Sequence, residues 1–311
     1  MNRGTVRHLI SLDDLSDTDL RGIVERGVHH AQVARTGSGA LLGRVVGIYF
    51  RKTSTRTRTA FSAGALRLGA GLISYGPGDL QLNTGESTED TGRVLSLMLD
   101  VLVARTAGDP QELRAWAEHD RMSVVNAMSA DEHPTQALAD LTTLARRFGS
   151  PDGLSVLYVG EGNNSAAALA LGLSRYRGTR LELRTPPGYG LDESVAQRAG
   201  LQAAAHGSSV DEYHHLDKID SDFDAVYTTR WQTTGTTKPD PDWRRVFEPF
   251  QVTETVLSLA GAATFMHDLP AHRGDEVTAE VLDGAASIAF EQAENKLHSA
   301  TAVLEWCCAG R

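Results

Sequence analysis

The chain has 311 residues, 41% of them hydrophobic and 23% charged, the make-up of a globular protein long enough for two domains. Its formal net charge of −10 argues against general nucleic-acid binding and against docking on an anionic membrane. No apolar run reaches the length of a membrane span, and no apolar segment follows Met1-Asn2-Arg3-Gly4, so no signal peptide is expected. The only cysteines, Cys307 and Cys308, are adjacent; they support neither a disulfide framework nor a metal site, and a reducing cytoplasm is the compartment they suit.

In chain order, Ser16-Asp17-Thr18-Asp19 starts a helix whose apolar stripe is Leu20, Ile23 and Val24; His29 and His30 follow on it and read as surface or packing residues. Residues 45–50 are apolar and β-prone, and from Ala60 to Leu68 apolar residues recur at helical spacing. Between them lie Ser54, Thr55, Arg56, Thr57 and Arg58, a dense set of hydroxyl and guanidinium donors at a strand-to-helix turn. The free N–H groups and positive dipole end of such a helix make this an anion site, best suited to phosphate. An N-cap with solvated arginines is the competing reading.

A second strand is expected at 72–75, followed by a polar, turn-rich loop through Gln81 to Glu86, too long for a tight connection. A third strand, 101–104, carries Arg105 at its C-terminal end, where open α/β sheets gather ligands. A fourth, 123–127, runs into Asp131-Glu132-His133-Pro134-Thr135-Gln136 at the mouth of a helix; a ring nitrogen and an amide there can serve a bound carbonyl compound. Gly149-Ser150-Pro151-Asp152-Gly153 marks the domain boundary. Beyond it, a strand at 154–159 leads through Gly160-Glu161-Gly162-Asn163-Asn164-Ser165 into an Ala/Leu-rich helix. That turn lacks the third glycine and the downstream acid of a dinucleotide fingerprint, which argues against NAD binding and an oxidoreductase. Strands at 180–184, 224–228 and 264–266 follow, the last two ending in polar loops with Thr229-Arg230-Trp231-Gln232 and His267-Asp268-Leu269-Pro270. Residues 288–306 read as one long helix. Strands and helices thus alternate twice over, implying α/β architecture with two doubly wound parallel-sheet domains whose strand ends face a shared cleft.

Along nearly its whole length the chain resembles the aspartate/ornithine carbamoyltransferase family. Ser54-Thr55-Arg56-Thr57-Arg58 is similar to the family's carbamoyl phosphate signature, Arg105 to its second phosphate- and carbonyl-binding arginine, and His133-Pro134-Thr135-Gln136 to its His-Pro-x-Gln motif. Gln81 resembles the glutamine lent to a neighbouring subunit's site, and Asn164 falls where ornithine-type members bind the α-carboxylate. His267-x-Leu269-Pro270 with Arg273-Gly274 resembles the His-Cys-Leu-Pro and Arg-Gly loop.

The resemblance implies a carbamoyl phosphate domain at 1–148, with helix 288–311 packing back on it, and an amine domain at 149–287. It implies a homotrimer with shared sites and neither a metal nor an organic cofactor. Arg56, Arg105, His133 and Gln136 would be catalytic; Ser54, Thr55, Thr57, Gln81, Leu269 and Lys296 would join them in holding carbamoyl phosphate. Asn164, Thr229, Arg230, Gln232, Thr233, Asp268 and Leu269 would hold the amine.

The amine site departs from both common types. Thr229 stands where ornithine enzymes carry Asp, Thr233-Thr234-Gly235 replaces Ser-Met-Gly, Asp268 replaces the loop cysteine, and Lys296 replaces an arginine on the last helix. Thr229-Arg230-Trp231-Gln232 resembles the carboxylate grip of aspartate enzymes instead. The expected reaction is therefore carbamoyl transfer from carbamoyl phosphate to a diamino acid such as 2,3-diaminopropionate, giving a ureido product and phosphate. Ordinary ornithine carbamoyltransferase and a non-catalytic carbamoyl phosphate-binding relative are the alternatives.

Overall fold

The computed structural model describes residues 6–33, 38–233, 236–261 and 264–310. The start Met1–Gly4 and the pair Thr234-Gly235, both used above, lie outside them. The chain divides into two compact units, Met1–Thr142 with Asn295–Arg311, and Thr143–Glu294. Both divisions fall inside helices.

The first unit is built on a four-stranded sheet in the order β2-β1-β3-β4, every pairing parallel. Its strands are β1 Val45–Phe50, β2 Gly71–Tyr75, β3 Val101–Arg105 and β4 Ser123–Met128. β1, and β3 up to Arg105, are continuous apolar runs because both faces are covered. Its helices are α1 Asp17–Gln32, α2 Arg56–Arg67, α3 Thr88–Ser96, α4 Pro110–Ala117 and the start of α5 Pro134–Phe148. On one side Tyr49, Leu99, Leu102 and Trp116 form a buried core, with Tyr49 and Trp116 edge-on at 5.9 Å. β4 lies at the sheet edge yet is buried throughout. Leu9 covers that edge, exchanging backbone hydrogen bonds with Val124 (2.9 Å) and Asn126 (2.7 Å).

Asn295 to Cys308 of the last helix belong to this unit. The helix comes so close to α2 that only glycine fits, since a Cβ on Gly64 would lie 2.9 Å from Thr301 Oγ1; α1 meets α5 as closely, a Cβ on Gly27 lying 2.8 Å from Thr142 Oγ1. Trp306 Nε1 donates to Asp19 (2.8 Å), and His30 pairs with Glu305 (3.0 Å), so this histidine is a packing residue.

The second unit holds a five-stranded, wholly parallel sheet in the order β7-β6-β5-β8-β9. The strands are β5 Ser155–Val159, β6 Arg180–Arg184, β7 Ser209–Tyr213, β8 Ala225–Thr228 and β9 Thr264–His267. Helices α6 Asn164–Leu173 and α7 Glu193–His206 serve one half. The short α8 Trp243–Phe247, α9 Glu254–Ala260 and α10 Ala279–Leu282 serve the other, before α11 Ala289–Cys308 begins. Phe223, Phe250, Val252, Phe265 and Val277 fill the core beneath β8 and β9. β7 is a strand that the sequence pattern did not announce. Its Ser-Val-Asp-Glu-Tyr lies at the sheet edge and is only partly buried.

In each sheet the strand order reverses once, between β1 and β3 and between β5 and β8. Loops leaving the strand ends on either side of such a reversal diverge and leave a crevice. Among the described residues, no helix is long and apolar enough to cross a membrane.

Candidate active site

In the first unit the predicted phosphate residues gather at the reversal point. α2 begins at Arg56, and its N-cap residue Thr55 makes no side-chain capping bond. Its first N–H groups lie at the positive dipole end. Thr57 is buried in the first turn and Ser54 half-buried before it. Arg58 lies over the Phe50 ring at 5.2 Å, a stacking role. Next door, Arg51 is tied to Glu112 and to Tyr49.

Arg105 stands opposite Phe50 in register, and Arg51 N donates to its carbonyl (3.0 Å). The β3–β4 register breaks at Ala104/Arg105, and Ala107 just beyond takes φ +51°. Such a bulge re-aims a side chain, and the left-handed backbone costs of order 1–3 kcal/mol that the surroundings must hold. Arg105 is buried, with 8% exposed.

His133, at the mouth of α5, is held by a network the sequence reading missed. Asn126 donates to Ile10 O (2.8 Å) and to Ser129 Oγ (3.0 Å), and Ser129 Oγ donates to Glu132 O (3.1 Å). The Glu132 carboxylate takes the Ser11 hydroxyl (2.5 Å) and Leu12 N–H (2.8 Å). The signal for this was a carboxylate beside a motif histidine, but its partners lie about 120 residues away in sequence. Burial first, then Arg105 and Lys296, hold the His133 imidazole well below the usual histidine range. The ring is therefore neutral at physiological pH. Thr135 Oγ1 lies 3.3 Å from its Nδ1; a hydroxyl donating there leaves the ring proton on Nε2.

Gln136 is clamped at both ends. Its Nε2 donates to Asp140 (2.8 Å), and Lys296 Nζ donates to its Oε1. Gln81 stands apart, exposed on a short 3₁₀ turn, with its side-chain oxygen taking the Thr84 hydroxyl (2.7 Å).

In the second unit the predicted amine residues collect where β5 and β8 end. Asn163, not Asn164, caps α6, accepting from Ser165 N (2.9 Å) and Ala166 N (3.1 Å); Asn164 is the first helical residue and buried. Asn163 also donates to Thr229 Oγ1 (2.9 Å), which shares a bond with Tyr158 OH (2.9 Å). The Thr229 hydroxyl is thus spent on the fold. Arg230 is half-buried, and its Nε makes no hydrogen bond among the described residues. Gln232 Nε2 donates to Thr236 O (2.8 Å), and Thr233 O accepts from Thr236 N and Oγ1 (3.1 and 2.8 Å).

At the end of β9, Asp268 accepts from Ser165 Oγ (3.2 Å). His267 is fully buried: Leu269 N donates to its Nδ1 (2.8 Å), and its Nε2 meets Glu276 Oε1 (3.1 Å). Leu269 carries φ +52°, costly for a branched side chain, at the residue expected to offer a carbonyl. Arg273 pairs on the surface with Asp283. His272, Asp275 and Glu276 bring ligand atoms within 4.8 Å of one another. Glu276 already accepts from His267 and from His272 N (2.6 Å), and Asp275 from Arg244 (2.7 Å), so the group fastens its own loop.

Residues 7–146 match the aspartate/ornithine carbamoyltransferase carbamoyl-P binding domain, and residues 152–307 the Asp/Orn binding domain of that family. Ornithine carbamoyltransferase from Symbiobacterium thermophilum is 39% identical over 305 residues, 96% of each chain. That from Caldicellulosiruptor saccharolyticus is 36% identical over 309, covering 98% of this chain and all of the relative. The solved structure of ornithine carbamoyltransferase from Pyrococcus furiosus superposes with a TM-score of 0.89 at 35% identity, over 98% of this chain and 97% of that one.

Proposed function

The chain belongs to the aspartate/ornithine carbamoyltransferase family and is a carbamoyltransferase, and we propose that its acceptor is a diamino acid, with ornithine first. The observation that carries the donor half is the gathering of the α2 N-terminus with Arg56, Arg105, His133 and Gln136 in one unit. For the acceptor, relatives named ornithine carbamoyltransferase favour ornithine, giving citrulline, over the 2,3-diaminopropionate that the sequence alone put first. The shorter diamine stays as a second reading because Thr229 offers no charge to an α-ammonium, while Asp268 supplies a carboxylate at another point of the same unit.

In the proposed mechanism the α2 N–H groups, Ser54, Thr55, Arg56 and Thr57 hold the phosphate. Thr57, Arg105 and neutral His133 donate to the carbamoyl oxygen, and the Gln136 amide oxygen and Leu269 carbonyl receive its NH₂ group. Arg230, Gln232 and Asn164 read the acceptor's carboxylate, and Asp268 its second ammonium. The neutral amine attacks the carbamoyl carbon, the C–O bond to phosphate breaks, and the departing phosphate takes the amine's proton. Orientation and stabilisation of the developing oxyanion do most of the catalytic work.

We infer a homotrimer in which Gln81 serves a neighbour's site. Exposed apolar side chains on the first unit, Ile73, Leu97 and Met98 among them, suit an interface between copies. Mixing Gln81→Ala with Arg56→Ala chains tests the sharing: activity recovered in the mixture supports it, and a mixture no better than its parts refutes it. The acceptor is tested by phosphate release across ornithine, lysine, putrescine, aspartate, 2,3-diaminopropionate and 2,4-diaminobutyrate, with ureido products identified by mass. Fast turnover of ornithine supports the first reading; turnover confined to a short diamine supports the second.

A further inference from the structure

Lysine is rarely buried, yet the head of Lys238 is: its side chain is 4% exposed, although Thr236, Thr237, Pro239 and Asp240 around it lie open to solvent. Its Nζ sits 2.5 Å from Glu161 Oε1. Three rings enclose it, with Nζ 4.5 Å from the centroid of Tyr189, 4.6 Å from Phe247 and 5.3 Å from Trp243. The rings brace one another: Phe247 meets Tyr189 at 4.7 Å and Trp243 at 5.2 Å, both edge-on. The cage is completed by Trp231 against Phe247 at 5.7 Å.

Both ends of this fastening reach the acceptor residues. Glu161 lies in the loop after β5, and its carbonyl accepts from Tyr158 OH (2.6 Å), the same hydroxyl that meets Thr229. Lys238 lies two residues beyond Thr236, which is bonded to Gln232 and Thr233. Arg230 and Gln232 are therefore carried on a stretch pinned at Trp231 and at Lys238.

Stability alone does not account for the pair. Burial pushes the Glu161 carboxyl up, against the pull of Lys238 and of the Thr233 hydroxyl. An arrangement of that kind specifies a position more than it adds stability.

We propose that Lys238 is a specificity-determining positioning residue, whose ammonium, seated on Glu161 inside the ring cage, sets the placement of Arg230 and Gln232 toward the acceptor's carboxylate. This rests on the acceptor half of the proposed function. Lys238→Met fills the cage without charge, and Glu161→Gln removes the partner. Either variant should raise the acceptor KM by about tenfold while the carbamoyl phosphate KM moves less than about twofold. Cleavage of the intact protein at Asp240 and Asp242 by an aspartate-directed endoproteinase should quicken, and Lys238→Arg should restore resistance. Cleavage at the wild-type rate, or quickened cleavage with an unchanged acceptor KM, would overturn the assignment. Absence of turnover with every amine would instead sink the proposed function, and the positioning role with it, whatever the cleavage rate.

Discussion

Lys296 Nζ, projecting from the last helix, donates to the side-chain oxygen of Gln136, and Gln136 Nε2 donates in turn to Asp140. All three side chains are buried. An amide oxygen has two lone pairs, so Lys296 fixes the Gln136 rotamer and leaves one lone pair for a ligand's N–H. A lysine thus keeps both the charge and an orienting bond at a place where the family carries an arginine. Lys296→Met should raise the carbamoyl phosphate KM about tenfold, the value of one bond to a charged group, with little change in melting temperature. An unchanged KM would show that Gln136 needs no such clamp.

Arg105 is positioned by the main chain, through its ladder partner Phe50 and the register break beside it. Truncating its side chain should therefore leave the sheet intact and remove a donor to the oxyanion. Arg105→Gln should lower kcat by roughly 10²–10³, as loss of one such donor does elsewhere. A drop in thermal stability in place of kcat would move Arg105 from the chemistry to the scaffold.

His133 gives a pH signature. Folded, its imidazole titrates well below the usual range, mainly through burial and then through Arg105 and Lys296. Unfolded, it takes a proton as the pH drops past about 6.5. Between those two values the unfolded chain binds more protons, so stability rises with pH there and is lost as the pH falls below about 6.5. His133→Asn removes this contribution. Urea unfolding at about pH 7.5 and 5.5 should show the variant losing less stability than the parent over that interval. Equal losses would mean that His133 is not held neutral by its surroundings.

The placement of the residues proposed for the donor half was legible because it is local. Ser54 to Arg58 form one cluster after one strand, Arg105 ends a strand, and His133 and Gln136 share a turn, so strand and helix periodicity alone put each at a ligand edge. What braces the residues of either half was not legible. Glu132 reaches Leu12 across 120 residues, and Lys238 reaches Glu161 across 77. β7 escaped because an edge strand need bury only part of its surface and so keeps polar residues. Asn163 and Asn164 are adjacent amides with the same hydrogen-bonding groups, and only the backbone decides which of them caps α6.

Asp268 is the residue proposed to meet the acceptor's second amino group. Its neighbour His267 accepts the Leu269 N–H on Nδ1, which leaves the ring proton on Nε2, facing Glu276. The Asp268 carboxylate, 3.6 Å from that Nδ1, accordingly gains no cation from the ring, and its bond from Ser165 is neutral. The proposed role of seating an ammonium group is open to it. Asp268→Asn keeps the shape and removes the charge, so the acceptor KM should rise about 10- to 100-fold, the value of a charge-assisted bond, with the carbamoyl phosphate KM unchanged. Arg230→Ala should raise the same KM by a similar factor through the carboxylate. The Asp268 effect should be confined to acceptors with two amino groups, and the Arg230 effect to those with a carboxylate, so putrescine and aspartate separate the two roles. If Asp268→Asn left the KM of every diamine unchanged, Asp268 would be a loop-capping residue, and the case for a short diamine acceptor would fall with it.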